Sequence, residues 1–257
     1  VRESGTCSSS SIRSPKRRSR HWLPFWRSST AEPEIDPKRI VRDGYDRISY
    51  EYRDDAGRGA SREKPGERTP STGYAAWLAE LIPLLKDGDP VLDLGCGCGV
   101  PATAILAERF LVTGVDISPL QIERARRLVP AAQFMCHDMS EADFPPESFG
   151  AIVSFFAIIH IPVEEQPGMF RKLGRWLRPG GYLLATVGAR AWTGTEDNWH
   201  GAPMYWSHAD RETYLTWLAE AGFDVVWTRF LPEGTGGHTL VLAKRAPTLP
   251  SPASGGR

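Results

Sequence analysis

The 257-residue chain predicts an α/β fold, a three-layer sandwich around a seven-stranded, mostly parallel sheet whose last strand is antiparallel. Three observations predict it. Short apolar runs alternate with segments of helical periodicity, the rhythm of parallel strands joined by crossover helices. The first run opens into a turn with three alternating glycines, Gly95, Gly97 and Gly99. The last two runs have no helical pattern between them, so they are expected to pair as an antiparallel hairpin at the sheet end.

The first helix of the core follows a stripe of Tyr74, Trp77, Leu78, Leu81 and Leu85 and stops at Asp87-Gly88. Strands are expected at Val91–Leu94, Phe110–Val115, Gln133–Cys136, Ala151–Phe155, Tyr182–Val187, Val225–Phe230 and Thr239–Ala243. Between them lie helices marked by Ala102, Ile105 and Leu106, by Ile122, Ala125 and Val129, by Phe170, Leu173 and Leu177, and by Tyr214, Leu218 and Ala221. Ser118-Pro119-Leu120-Gln121 supplies a capping serine, a proline at the first helical position and a capping-box glutamine. Asp210 can cap the last helix. RPGG at 178–181 reads as a turn feeding a strand, and the segment around Leu231–Gly237 as the loop of the final hairpin.

Composition sets the outer limits. Thirty-one basic side chains balance 31 acidic ones, yet residues 1–30 hold seven basic groups against Glu3, leaving −6 for the other 227. An acidic body suits a phosphate backbone poorly, so no nucleic-acid partner is expected. No apolar run approaches the roughly 20 residues of a membrane span. Four cysteines without a C-x-x-C pair argue against a disulfide scaffold or structural zinc, and a reducing, cytoplasmic setting is expected. His137, His200, His208 and His238 show no metal spacing, so no metal is expected. The Ser/Arg-rich head, residues 1–36, has no apolar periodicity and reads as disordered. It reads as a transit peptide, a tether anchored by Trp22, Phe25 and Trp26, or a solvated extension. Residues 246–257 read as a disordered tail, and Asp55–Ser71 as a Gly/Pro-rich loop.

The chemistry concentrates in VLDLGCGCG at 91–99. Glycines at the carboxyl end of a strand allow close approach of backbone N–H groups to a ligand, and the next helix adds a partial positive charge. Nineteen residues after Gly97, the second strand ends in Asp116, the spacing of a carboxylate that accepts from ribose hydroxyls. Gly97–Ala102 also fits the dinucleotide fingerprint G-x-G-x-x-A, but Asp93 would repel a pyrophosphate and attract an ammonium or sulfonium group.

With VDIS at 115–118, HDM at 137–139, AIVSFFAIIH at 151–160 and RPGGYLL at 178–184, the sequence resembles the class I S-adenosylmethionine-dependent methyltransferases of the small-molecule type, across most of Tyr74–Lys244. The resemblance implies S-adenosyl-L-methionine as cofactor and a methyltransferase domain over 73–245. It implies that Gly95, Cys96 and Gly97 line the methionine part, with Asp93 near its amino group and Asp116 on the ribose. Asp138 and the Met139 backbone would meet the adenine edge, with Ile117 on its face. GYDRISYEY at 44–52 resembles a segment that folds over the cofactor, so 37–72 is expected to cover the site, with Tyr45 or Tyr52 near the methionine carboxylate.

Gly188–Ala209 reads as a long aromatic loop whose Trp192, Trp199, Tyr205 and Trp206 shape an acceptor pocket. His160, at the end of the fourth strand, is the first candidate for a catalytic base, and Glu196 or Asp197 the next; a positioning role is the alternative for His160. The expected function is methyl transfer to a small-molecule acceptor by in-line displacement, in a monomer or homodimer. An NAD(P)-dependent oxidoreductase and a non-catalytic cofactor-binding module are the competing readings.

Overall fold

A computed structural model of the protein describes residues 36–56 and 70–247. The basic head, residues 57–69 of the Gly/Pro-rich loop and the tail from 248 lie outside the described residues. Helix α1 (Pro37–Tyr52) opens with Asp36 accepting the Lys38 N–H and Pro37 preset for the first turn. Then come α2 (Pro70–Leu81), β1 (Pro90–Leu94), α3 (Ala102–Ala107), β2 (Leu111–Asp116), α4 (Pro119–Leu128), β3 (Gln133–Cys136) and β4 (Phe149–Ser154). They are followed by α5 (Gln166–Trp176), β5 (Leu177–Gly188), β6 (Trp192–Trp199), β7 (Ala202–His208), α6 (Arg211–Glu220), β8 (Phe223–Glu233) and β9 (Gly236–Arg245).

Seven strands form one sheet in the order β3-β2-β1-β4-β5-β9-β8. β1 to β5 pair in parallel, and β9 runs antiparallel to β5 and β8. The predicted architecture is the observed one. The strand order reverses between β1 and β4, and open α/β sheets bind ligands beyond the carboxyl ends of the strands at such a point. Apolar cores cover both faces, one built on Leu92, Ile152, Phe170 and Trp176, the other on Val91, Val153, Leu78 and Leu242. The N-caps fall as predicted: Ser118 Oγ accepts the Gln121 N–H at 3.0 Å, and Asp210 accepts the Thr213 N–H at 2.9 Å. The capping box does not close, because the Ser118 N–H goes to Asp116 Oδ1 and Gln121 Oε1 accepts from Ser49 Oγ.

Three local expectations change. α2 begins at Pro70, two residues inside the expected loop, because a proline fits the first helical turn. The expected loop at Leu231–Gly237 shrinks to Gly234-Thr235, with Gly234 at φ 54°, since a two-residue turn lets β8 and β9 pair to Glu233↔Gly236. Gly188–Ala209 contains a β-hairpin rather than a loop. β6 and β7 pair antiparallel and close at His200-Gly201, both at positive φ (50° and 102°), the geometry that a two-residue hairpin turn demands.

This hairpin and α1 form a separate small core of Val41, Ile48, Ala202 and Met204. Gly44 lets them meet: a Cβ there would lie 2.7 Å from the Pro203 carbonyl oxygen. Polar clasps fasten α1 to the main body. Lys38 Nζ reaches Asp138 (2.9 Å) and Glu165 (2.6 Å), and Asp46 Oδ1 accepts from Ser118 Oγ (2.5 Å) and the Leu120 N–H (3.1 Å). Arg124, 1% exposed, donates to Ser49 O (2.6 Å), Ser49 Oγ (2.7 Å) and Arg53 O (2.7 Å), and lies 4.0 Å over the Tyr50 ring.

Replacing Arg124 by Met removes one buried donor from each of Ser49 O, Ser49 Oγ and Arg53 O, at a cost of about 2–3 kcal/mol. Denaturant unfolding is expected to show this loss, and hydrogen exchange to show α1 opening well before the sheet does.

Candidate functional site

A cavity of about 760 Å³, including space open to solvent, lies at the switch point. Its floor is the turn after β1. Gly95 (φ 72°) must be glycine, since a Cβ would sit 2.1 Å from Ala157 Cβ. Gly97 (φ 55°) faces open space, with no atom within 4 Å of where a Cβ would be. The N–H groups of Gly95 and Cys96 donate to Val115 O, and that of Gly97 to Asp116 Oδ2. The glycines therefore supply clearance, while the donors expected to meet a ligand are spent inside the turn.

Two carboxylates carry the electrostatics. Asp93, 2% exposed, accepts from Thr103 Oγ1 at 2.6 Å; burial, with Asp116 nearby, pushes its pKa up to about 7. Asp116, 9% exposed, accepts the N–H groups of Gly97 and Ser118, both at 2.9 Å, and burial pushes it up to about 6. Among the described residues, neither carboxylate has a basic side-chain partner. Arg53 is the one basic side chain among the described lining residues. Burial opposes its charge, but Tyr74, Tyr52 and Cys98 hold its pKa above the usual arginine value. Its guanidinium lies over the rings of Tyr52 (5.5 Å) and Tyr74 (5.1 Å).

Of the residues selected from sequence, Tyr45, Asp93, Gly95, Cys96, Gly97, Asp116, Ile117, Met139 and His160 line this cavity. Asp138 does not: its carboxylate pairs with Lys38 and accepts the Ser140 N–H. None of the four hairpin aromatics lines it either. Trp199 packs on Tyr45 and Tyr52, Trp206 stacks 4.3 Å from the His160 ring, and Trp192 lies exposed near His208. Glu196 and Asp197 are exposed on β6. Sequence reading missed Arg53, Tyr74 and Phe156. Arg53 directly follows the tyrosines of the covering segment, but nothing in that local pattern marks it for the cavity.

His160 is held from both sides. Its Nδ1 lies 2.6 Å from the Tyr205 carbonyl, which only accepts, so Nδ1 carries the proton; Nε2 then accepts from the Tyr45 hydroxyl at 3.0 Å. Burial pushes its pKa down to about 4, so it is neutral at pH 7. Among the described residues, no group of three His, Cys, Asp or Glu is arranged to hold a metal ion, and no helix is long and apolar enough to cross a membrane.

Comparison with known proteins agrees with this geometry. Residues 91–181, from β1 to the start of the β5 ladder, match the family model described as a methyltransferase domain. Over that segment, about a third of the chain, the protein is similar to methyltransferases. Among its relatives is phosphoethanolamine N-methyltransferase 3 of Arabidopsis thaliana, 35% identical over 129 residues, covering 47% of this chain and 26% of that protein. Another is 27-O-demethylrifamycin SV methyltransferase of Amycolatopsis mediterranei, 36% identical over 113 residues, covering 41% and 40%. The chain thus spans about a quarter to two fifths of the length of these two relatives. The fold is shared with magnesium protoporphyrin IX methyltransferase of Synechocystis, whose crystal structure holds S-adenosylmethionine (TM-score 0.64, 19% identity, 83% of this chain and 99% of that one). It is shared equally with a [4+2]-cyclase, SpnF (TM-score 0.61, 21% identity, 80% and 95%), so the fold alone does not name a reaction. The oxidoreductase reading finds no support among these matches.

The hydrogen bonds of His160 set a measurable outcome. Histidine-selective 15N NMR is expected to show its proton on Nδ1 and a titration midpoint near 4. A midpoint near 6.5 would contradict the burial described here.

Proposed function

We propose that this chain binds S-adenosyl-L-methionine in the switch-point cavity and transfers its methyl group to a small-molecule acceptor. The observation that carries the reading is the pair of buried carboxylates, Asp93 and Asp116, which line the cavity without a paired basic side chain among the described residues. Such groups suit a ligand that brings a positive charge and hydroxyls, and Arg53 suits the carboxylate of an amino-acid moiety. The relatives named above support a small acceptor, and the mildly acidic body suits a phosphate backbone poorly.

When bound, the cofactor supplies an electrophilic methyl group on a cationic sulfur. The chain's residues hold and orient. Asp116 accepts from the ribose hydroxyls, Asp93 faces the amino group, and Arg53 the carboxylate. Ile117 and Met139 wall the adenine side, while α1 closes the cavity through Val41, Tyr45 and Tyr52. Charge disperses as the methyl moves, so alignment contributes more than any new counter-charge. His160 is a positioning residue in this reading: its Nε2 lone pair fixes the Tyr45 hydroxyl toward the cavity. The 37–72 segment acts as the cofactor cover, with Lys38 and Arg124 as its fastenings.

Isothermal calorimetry with S-adenosylmethionine tests the reading. Binding is expected in the wild type and weakened roughly 10- to 100-fold by Asp116→Ala. Because burial holds Asp93 near pKa 7 and an incoming cation lowers it, binding at pH 6.5 releases protons and affinity rises as pH increases to about 7.5. Asp93→Asn is expected to remove most of that proton release, the remainder coming from Asp116. Incubation of metabolite extracts with methyl-labelled cofactor then identifies the acceptor. Absence of binding at millimolar cofactor would overturn the reading.

A further inference from the structure

A second histidine near the cavity has a different arrangement from His160. His238 lies near the start of β9, opposite Gly188 at the carboxyl end of β5 and Leu231 of β8. Its Nε2 is 3.0 Å from Glu233 Oε2 across the hairpin. Its Nδ1 is shut away from solvent and has no hydrogen-bond partner among the described residues. An unpaired buried polar atom costs about 1–3 kcal/mol, so a folded protein keeps few of them. Phe156, which lines the cavity, stands at right angles to the His238 ring, 5.2 Å away. That phenylalanine has a left-handed backbone (φ 55°), and its N–H donates to Thr186 Oγ1. The bare nitrogen thus sits behind one aromatic ring of the cavity wall, where the strands end.

We propose that His238, backed by Glu233, is the proton acceptor for a methyl acceptor whose nucleophile is a hydroxyl or an amine, seated against Phe156. The inference rests on the methyltransferase reading and deepens it. The heteroatom's lone pair forms the bond to the methyl carbon. The carbon–sulfur bonding pair stays on sulfur, and the heteroatom's proton passes to His238 Nδ1. The resulting imidazolium keeps its other N–H on the Glu233 carboxylate, which offsets the new charge. Movement of the Phe156 ring opens Nδ1 to the acceptor. His160 is unsuited to this step, because its lone pair already takes the Tyr45 hydroxyl.

The titratable neighbours are few and consistent with the assignment. Glu233 faces His238 from β8, and its carboxyl is held below the ordinary glutamate value chiefly by the hydrogen bond to His238, with His200 of the hairpin turn adding to it. His208 of β7 has its ring 6.2 Å away; burial pushes its pKa down, and its Nδ1 donates to the Arg190 carbonyl. His160, also held neutral by burial, adds no positive charge.

Two measurements on the full chain with S-adenosylhomocysteine decide the matter. Histidine-selective 15N NMR at pH 7 is expected to place the His238 proton on Nε2 and leave Nδ1 bare. The Glu233 carboxylate is expected to titrate below the ordinary glutamate range, and to move up in His238→Asn. A proton on Nδ1, or an unmoved Glu233, overturns the pair. With the acceptor from the labelled-methyl screen at saturation, His238→Asn is expected to slow turnover about 10²- to 10⁴-fold, and Glu233→Gln less. S-adenosylhomocysteine affinity should be unchanged in both variants, which separates a lost base from a lost fold. Unchanged turnover, or a product methylated on carbon, overturns this inference alone. Failure of the wild type to bind S-adenosylhomocysteine overturns the methyltransferase reading as well.

Discussion

The structure turns on two carboxylates buried at the carboxyl ends of β1 and β2 without a paired cation among the described residues. Moving Asp93 from the ordinary 3.8 to about 7 disfavours its ionised form by roughly 4 kcal/mol. The fold holds this group in place through Thr103 on α3, and holds Asp116 through the amides of Gly97 and Ser118. In the proposed complex a positively charged ligand relieves the mismatch, and the cost of that burial becomes binding free energy. The glycine turn leaves room for such a ligand: Gly95 clears Ala157, and Gly97 faces open space.

Burial of these groups requires a cover, and the covering helix has little hold of its own. Its apolar face meets the β6–β7 hairpin in a core of only four fully buried side chains. Polar clasps make up the difference. Lys38 bridges to Asp138 and Glu165 at one end, Asp46 receives the start of α4 in the middle, and Arg124 gathers the carbonyls of Ser49 and Arg53 at the other. Arg124 thereby couples the cover to the cavity's own basic side chain, since it fixes the backbone of Arg53. A helix held by hydrogen bonds and ion pairs more than by apolar area can open without disturbing the sheet.

Most of the fold was legible because its signals are local. Strand periodicity, the Ser118 and Asp210 caps and the missing helix before β9 each act within a few residues. The Trp192–His208 hairpin was not legible as such. Its turn is His200-Gly201 rather than the familiar Asn-Gly, and its first strand, β6, is mostly exposed, which blurs the apolar alternation. Within the site, residues tied to the glycine turn could be read from spacing, because that turn fixes their positions. Asp138 shows the limit. Its place after β3 is as expected, but Lys38, about a hundred positions earlier, claims its carboxylate, and such a pairing leaves no trace in local pattern. Arg53 and Phe156 escaped for the same reason: each joins the cavity through tertiary packing alone.

The histidines show how one fold separates positioning from proton transfer. His160 and His208 each give their Nδ1 proton to a backbone carbonyl, and burial keeps both neutral. In His160 the remaining lone pair is also taken, by Tyr45, which leaves the ring rigid and chemically quiet beside the reacting centre. His238 has the reverse arrangement, with a carboxylate on one nitrogen and nothing on the other. A carboxylate partner stabilises the imidazolium, whereas a carbonyl partner chiefly fixes the tautomer. The difference in partner, more than nearness to the strand end, is what distinguishes a ring that can take a proton from one that only holds its neighbour in place.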